Sequence, residues 1–302
     1  MKKIKNIKAK KPYFVAEISA NHGGKISNAK KLIFDAKRYG ADAVKLQTYQ
    51  PETMTLNSNK KYFKIKSGLW KGHTLWSLYE KAHTPFSWHN ELFNYAKKIG
   101  ITCFSSAFDE TAVDLLEKIN NPIYKIASFE MDDFPLIKYI SKTKKPVIIS
   151  TGLASLNEIK KTYNYAKKCG IKDITLLYCV SSYPANSDEF NLNNIKILKD
   201  KLKCKIGFSD HSNNNSIAST AVVLGAEIIE KHIALPNDNT SPDVKFSLKG
   251  KEINKFRQSI DLAQKICGEK SFIRKKSEFK NLKFKRSIFC IKDILKGEKF
   301  SI

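Results

Sequence analysis

Eight short apolar runs alternate with eight amphipathic stretches along the first 267 residues. The runs cover 13–19, 43–48, 102–107, 123–128, 147–151, 174–180, 205–209 and 227–232. Between and after them, apolar residues recur at helical spacing over 27–39, 87–99, 109–119, 133–143, 155–169, 191–202, 214–224 and 251–267. Strands joined by helices pair in parallel and bury both sheet faces, so this alternation leaves few architectures open. Eight units within about 260 residues predict an α/β fold of the closed (β/α)8 TIM barrel type over residues 1–270. The competing doubly wound sheet would place G-x-G-x-x-G after the first strand, and that motif is absent. Gly40, Gly100, Gly170 and Gly225 stand just before strands, where a helix needs a left-handed C′ residue. Asp109 and Ser155 are the matching N-caps.

Two stretches break the rhythm. Residues 50–86 follow the second strand, are rich in Lys, Trp and Tyr, and are too long for a βα loop. They read as an excursion over the barrel mouth. Residues 271–302 form the second segment: a basic linker over 272–286, then one strand over 287–302 with a turn at Lys296-Gly297-Glu298.

The net charge of +25 invites a nucleic-acid reading. Against it, the 54 basic residues include only four arginines, and the lysines are spread over the whole chain. Base readout leans on arginine, so no nucleic-acid partner is expected. No apolar run approaches the ~18 residues of a membrane span. The basic N-terminus leads into no secretory core, which points to the cytoplasm. Six scattered cysteines with no C-x-x-C pair fit reduced thiols.

Chemistry in such barrels is built at the C-terminal strand ends. Reading those ends in order gives Glu17, Lys45 with Gln47, Ser105-Ser106, Lys125 with Ser128, Ser150-Thr151, Ser181-Ser182-Tyr183, Ser209-Asp210-His211 and Glu230-Lys231-His232. For most of these hydroxyls, turn formation and capping are the ordinary explanation. Two lysines inside apolar strands are harder to explain away, because an unpaired buried ammonium is costly. Lys45 and Lys125 are therefore expected to face an anion. His22 follows the first strand and could line the site. His211 and His232 sit 21 residues apart on neighbouring strands, where two imidazoles can share a metal ion or simply be hydrogen-bonded.

The segments Ala16-Glu17-Ile18-Ser19-Ala20-Asn21-His22-Gly23, Lys45-Leu46-Gln47-Thr48, Tyr124-Lys125-Ile126-Ala127-Ser128, Ser150-Thr151-Gly152, Gly207-Phe208-Ser209-Asp210-His211 and Glu230-Lys231-His232 together resemble the sialic acid synthase family. The likeness spans residues 12–300. Within the family, Leu56-Asn57-Ser58, Ser67-Gly68-Leu69-Trp70 and residues 78–85 are most similar to the pseudaminic acid synthases. The resemblance implies a transferase that joins phosphoenolpyruvate to an N-acetylated amino sugar, giving a nonulosonic acid and phosphate. For the pseudaminic branch the acceptor is a 2,4-diacetamido-2,4,6-trideoxy hexose. The N-acetylneuraminate and legionaminic branches differ only in the sugar.

Carried over motif by motif, His211 and His232 would bind a divalent metal: Mn²⁺ or Mg²⁺, with Co²⁺ also suitable. Lys45, Ser106, Lys125, Ser128, Ser150, Ser181 and Ser209 would hold phosphoenolpyruvate. Glu17 would be the acid/base, and Gln47, Tyr183 and Asp243 would contact the sugar. Ser106 and Ser181 depart from the Thr or Asn found in other members. The family also implies a homodimer and a C-terminal antifreeze-like (SAF) domain. Only its start, Arg286-Ser287-Ile288 through Glu298, is resembled here. That ending would weaken the dimer and leaves an inactive binding module as an alternative.

Overall fold

The computed structural model describes residues 11–268 and 271–299. The chain divides into two units, the first ending at Cys267 and the second starting at Gly268.

The first unit begins with β1 (Tyr13–Glu17), α1 (Ile26–Arg38) and β2 (Ala43–Thr48). The insertion follows, with a short helix α2 (Pro51–Met54) and α3 (Leu75–Ala82). Regular alternation then resumes through α4 (His89–Ile99), β3 (Thr102–Ala107), α5 (Glu110–Lys118), β4 (Tyr124–Ile126), α6 (Phe134–Ser141), β5 (Val147–Ser150), α7 (Leu156–Lys168) and β6 (Ile174–Cys179). It closes with α8 (Asn194–Leu202), β7 (Lys205–Asp210), α9 (Asn215–Val223), β8 (Ile228–Ala234), β9 (Leu248–Lys249) and α10 (Lys251–Cys267). Strands β1 to β8 pair in sequence order, all parallel, and β1 pairs with β8. That last pairing closes the expected barrel. The two-residue β9 adds to the end of β8, opposite Ile233 and Ala234.

Local chemistry sets the element ends. Asp109 and Ser155 accept from the backbone N–H groups of Ala112 and Glu158, satisfying first-turn donors that a helix cannot satisfy itself. Gly100 ends α4 at φ 73°, a left-handed conformation that costs glycine no Cβ clash.

Period-2 alternation then sorts each strand into two faces. Outward residues such as Phe14, Val44, Leu46, Ile149, Leu176, Ile206, Phe208, Ile229 and Ile233 pack under the helices in one continuous apolar shell. Inward residues make a separate, smaller cluster: Val15, Ala43, Phe104, Ile123, Ile148, Leu177 and Ile228. These form the floor of the barrel. On β7 the floor position is Gly207, where a Cβ would stand 2.5 Å from both the Ile228 carbonyl and Leu177 Cδ2. Only glycine lets the floor close.

In the second unit, Lys276–Phe284 winds into a 3₁₀ helix and Lys296-Gly297 forms the expected turn. The strand expected over 287–302 is not found: described residues 287–299 contain none. A strand exists only through its ladder partner, and described residues 287–299 form no ladder among themselves. Residues 300–302 lie outside the described residues.

Candidate active site

Two residues beyond the floor, every strand changes character. Val15 gives way to Glu17, Ala43 to Lys45, Phe104 to Ser106, Ile123 to Lys125, Ile148 to Ser150, Leu177 to Cys179, Gly207 to Ser209 and Ile228 to Glu230. One step of the strand period thus turns an apolar layer into a polar one that projects into the same interior. A further step reaches Gln47, Ser181, His211 and His232. Ten of the thirteen expected site residues are therefore stacked in two layers above one floor, with Ser128, Tyr183 and Asp243 beyond the strand ends. Strand pairing sets their neighbours: Gln47 opposite Ser106, and Glu17 opposite His232.

The first polar layer is a buried charge cluster. Lys45 forms ion pairs with Glu17 and, at 3.7 Å, with Glu230, and donates to Ser106 Oγ at 3.1 Å. Burial alone would lower the proton affinity of Lys45. The two carboxylates outweigh it and hold the ammonium above its ordinary range. Burial raises Glu17 to about 7 against the opposing pull of Lys45, helped by repulsion from Glu230. Glu230 resists burial and stays low, because Lys45 and Lys125 attract it and Ser209 donates to it at 3.1 Å. Of two carboxylates around one ammonium, Glu17 is the one able to exchange a proton near neutrality.

Lys125 is different. It is 2% exposed, and its hydrogen-bond acceptor is the Ile126 carbonyl at 3.2 Å. Among the described residues no carboxylate lies within ion-pair distance of it. Burial lowers its proton affinity although Glu230 works the other way. A buried ammonium with no carboxylate in direct contact is suited to binding an anion.

Hydroxyls gather beside it. Ser128 Oγ accepts from the Gly152 N–H at 3.2 Å and touches Cys179 Sγ, also at 3.2 Å. A Cβ on Gly152 would fall 2.1 Å from Ser181 Oγ and 2.8 Å from Ser128 Oγ, so glycine there keeps a small polar cradle open. Ser181 Oγ is buried with no partner among the described residues. Ser150 completes the wall at 3% exposure.

The second layer carries the histidines. His211 and His232 face each other with ring centroids 5.7 Å apart. His211 Nδ1–H donates to the Val180 carbonyl at 2.9 Å, which leaves Nε2 as the lone-pair nitrogen. His232 Nδ1 is buried without a hydrogen-bond partner, 3.7 Å from Asp243 Oδ2. Burial pushes His211 down to about 4 and His232 well below its ordinary value, so both are neutral. Neutral imidazoles with free nitrogens fit a divalent ion as ligands. Among the described residues no group of three or more His, Cys, Asp or Glu could itself hold a metal.

Aromatic rings wall the mouth. Tyr183 stacks at 4.4 Å on His211 and 5.4 Å from Phe246, which also packs on His232. The insertion reaches this point: Trp70 lies 5.5 Å from Tyr183 and donates its indole N–H to the Pro242 carbonyl at 3.1 Å. Asp243, expected at the sugar, accepts from Ser19 Oγ and backs His232. Gln47 is half-buried beside this layer. His22 is not free to act. Its Nδ1 accepts from the Gly24 N–H at 3.1 Å, its Nε2 meets Thr84 Oγ1 at 3.4 Å, and its ring packs on Trp88.

Glu230, Cys179 and Glu130 are absent from the expected set. Glu130, just past β4, is raised to about 7 by burial despite Lys125, and its Oε2 has no partner among the described residues. The signal for Glu230 was there to read. A carboxylate after Ile228-Ile229 is as anomalous as Lys45 in its strand.

The NeuB family pattern matches residues 32–272. The pseudaminic acid synthase of Campylobacter jejuni subsp. jejuni serotype O:2 is 42% identical over 292 residues, covering 97% of this chain and 85% of that relative. The N,N'-diacetyllegionaminic acid synthase of the same strain is 38% identical, covering 97% and 88%. The crystal structure of N-acetylneuraminic acid (sialic acid) synthetase from Leptospira borgpetersenii serovar Hardjo-bovis, in complex with citrate, superposes with a TM-score of 0.80 at 32% identity over 91% of each chain.

Proposed function

The chain belongs to the NeuB family of sialic acid synthases, and on that premise we propose that it is a pseudaminic acid synthase. It condenses phosphoenolpyruvate with a 2,4-diacetamido-2,4,6-trideoxy hexose to a nonulosonic acid and phosphate. The observation that carries this reading is Lys125: a fully buried ammonium with no carboxylate partner among the described residues, set beside a hydroxyl cradle and two neutral histidines. The choice of acceptor is supported by the 42% identity to pseudaminic acid synthase, against 38% to the legionaminic acid synthase of the same strain.

In this reading Lys125 and Lys45 take the negative charges of phosphoenolpyruvate, and Ser106, Ser128, Ser150, Ser181 and Ser209 donate to its oxygens. Ser181 Oγ, otherwise unpartnered, gains an acceptor. His211 and His232 hold a divalent ion, Mn²⁺, Mg²⁺ or Co²⁺, which when bound supplies Lewis-acid polarisation of a substrate oxygen. The enol carbon C3 attacks the aldehyde carbon of the open-chain sugar, forming the new C–C bond. Water adds at C2, and phosphate leaves with its bridging oxygen as the keto group forms. Glu17, poised near neutrality and charge-coupled to Lys45, takes or gives the proton at the reacting oxygen. Tyr183 walls the mouth, Gln47 is half-buried beside it and Asp243 backs His232, and in this reading the three orient the sugar. The apolar floor and the insertion limit water below and above the reacting atoms. Charged phosphate esters do not cross membranes, which puts the reaction in the cytoplasm. The resemblance to the sialic acid synthase family supports a homodimer. Among the described residues no helix is long and apolar enough to cross a membrane.

The test is phosphate release with phosphoenolpyruvate and Mn²⁺ against three acceptors: the diacetamido trideoxy hexose, the legionaminic precursor and N-acetylmannosamine. Turnover with the first, several-fold above the others, supports the reading. Preference for another acceptor moves the chain to that branch. No phosphate release above a His211→Ala control with any acceptor overturns it.

A further inference from the structure

His211 and His232 are each preceded by a charged residue: Asp210 on β7 and Lys231 on β8. Strand alternation turns these two outward, in line with Phe208 and Ile229 of the outer apolar shell. They are direct register partners, so they meet on the outer side of the barrel wall, behind the imidazoles. Lys231 Nζ lies 3.3 Å from Asp210 Oδ2, and the two residues are 2% and 1% exposed. Both also hold Ser212, the residue after His211: Asp210 Oδ1 accepts its N–H at 2.8 Å, and Lys231 Nζ donates to its carbonyl. His211 is thus clamped on both sides along the chain. One end of the clamp is on its own strand, and the other is on the strand that carries His232.

We propose that the Asp210–Lys231 ion pair is a positioning device that fixes the separation and orientation of the two imidazoles. A buried ion pair contributes little net stability over apolar packing of the same volume. Greasy residues would serve the outer shell equally well if stability were all the site required. What the pair supplies is direction. The carboxylate takes the N–H of Ser212 and the ammonium its carbonyl while the two are tied to each other. The proposal rests on the reading of His211 and His232 as metal ligands, and its test separates the two.

Mn²⁺ alone is titrated into the full chain and followed by electron paramagnetic resonance, beside thermal unfolding of the metal-free protein. The expected result is that Lys231→Met and Asp210→Asn weaken Mn²⁺ binding by about 10–100-fold, the usual loss when a group orienting a metal ligand is removed. Lys231→Arg, which keeps charge and donors, retains most of the affinity. The double variant Asp210→Asn/Lys231→Met leaves no unpaired charge. It recovers unfolding temperature over the single variants yet still binds Mn²⁺ weakly, because the Ser212 carbonyl has no donor. Wild-type affinity in the folded double variant overturns the proposal and reduces the pair to a structural contact. If the wild type binds no Mn²⁺, the metal reading fails. The imidazole nitrogen resonances of the metal-free protein then decide the proposal: a single Nδ1–H form of His211 that becomes heterogeneous in Lys231→Met supports it, and identical spectra overturn it.

Discussion

The barrel wall carries buried charge on both faces, and the two faces are finished differently. Outside, Asp210 and Lys231 pair with each other and with both main-chain groups of Ser212. Inside, Lys125 has only a carbonyl, and Ser181 Oγ and His232 Nδ1 have no hydrogen-bond partner among the described residues. Buried polar groups are ordinarily satisfied, because leaving one unmade costs about 1–3 kcal/mol. On the outer face each charge has an opposite charge within ion-pair distance, whereas on the inner face Lys125 has none among the described residues. Broken satisfaction lined up above an apolar floor marks the groups that a ligand completes. Completed satisfaction marks the groups that hold them in place.

The sharpest way to break this contrast is to remove an inner group. His211→Ala is expected to cut phosphate release by more than about 100-fold, beyond the 10–100-fold typical of a residue that only orients a metal ligand. Its unfolding temperature should stay near that of the wild type. Lys125→Met separates the faces further. The KM for phosphoenolpyruvate should rise about 10–150-fold, matching the 1.5–3 kcal/mol of a hydrogen bond to a charged group. The ligand-free protein should meanwhile melt at a higher temperature, since an uncompensated buried charge is gone. A lower melting temperature would mean that Lys125 already has its counter-charge. Gly207→Ala, in the floor, should do the reverse: lose about 1–3 kcal/mol in urea unfolding through overpacking and leave the KM for phosphoenolpyruvate within twofold.

The smallest effect concerns pH. His89 lies between the second strand and the helices, its Nδ1–H donating to the Pro85 carbonyl and its Nε2 accepting from Thr48. Burial lowers it to about 4. An unfolded histidine protonates near 6.5 and the folded one does not, so its contribution is complete above 6.5 and is lost as pH falls toward about 4. His89→Gln should therefore flatten the acid side of a urea-midpoint profile between pH 6.5 and 4.5, without moving the KM for phosphoenolpyruvate.

Most of the fold could be read before the structure. The strand spans agree to within two residues, because turn glycines and N-caps punctuate the chain where the hydrophobic period changes. The helices inside the insertion could not be read. Their short apolar patterns acquire meaning only against a mouth whose position depends on barrel closure. The strand expected after residue 286 failed for a related reason: β propensity describes a surface that needs a partner. In the site, the lysines and histidines were legible as anomalies within apolar runs. Glu230 escaped because it is flanked by Lys231 and reads as ordinary surface charge until the period-2 count assigns the two to opposite faces. The partners of Asp243 were out of reach too, since Ser19 lies 224 residues away along the chain.

The sequence by itself determined the alternation, the number of units, and which side chains stand at the strand ends. Those depend on local period and on the cost of burying a charge, both of which act over a few residues. Only the tertiary structure decided which of those charges neutralise one another. Closure of β1 onto β8 brings Glu17, Lys45 and Glu230 together, and among the described residues Lys125 makes no ion pair. Electrostatic energy in a dry interior depends on distances of a few ångströms between strands, and no one-dimensional pattern contains those distances.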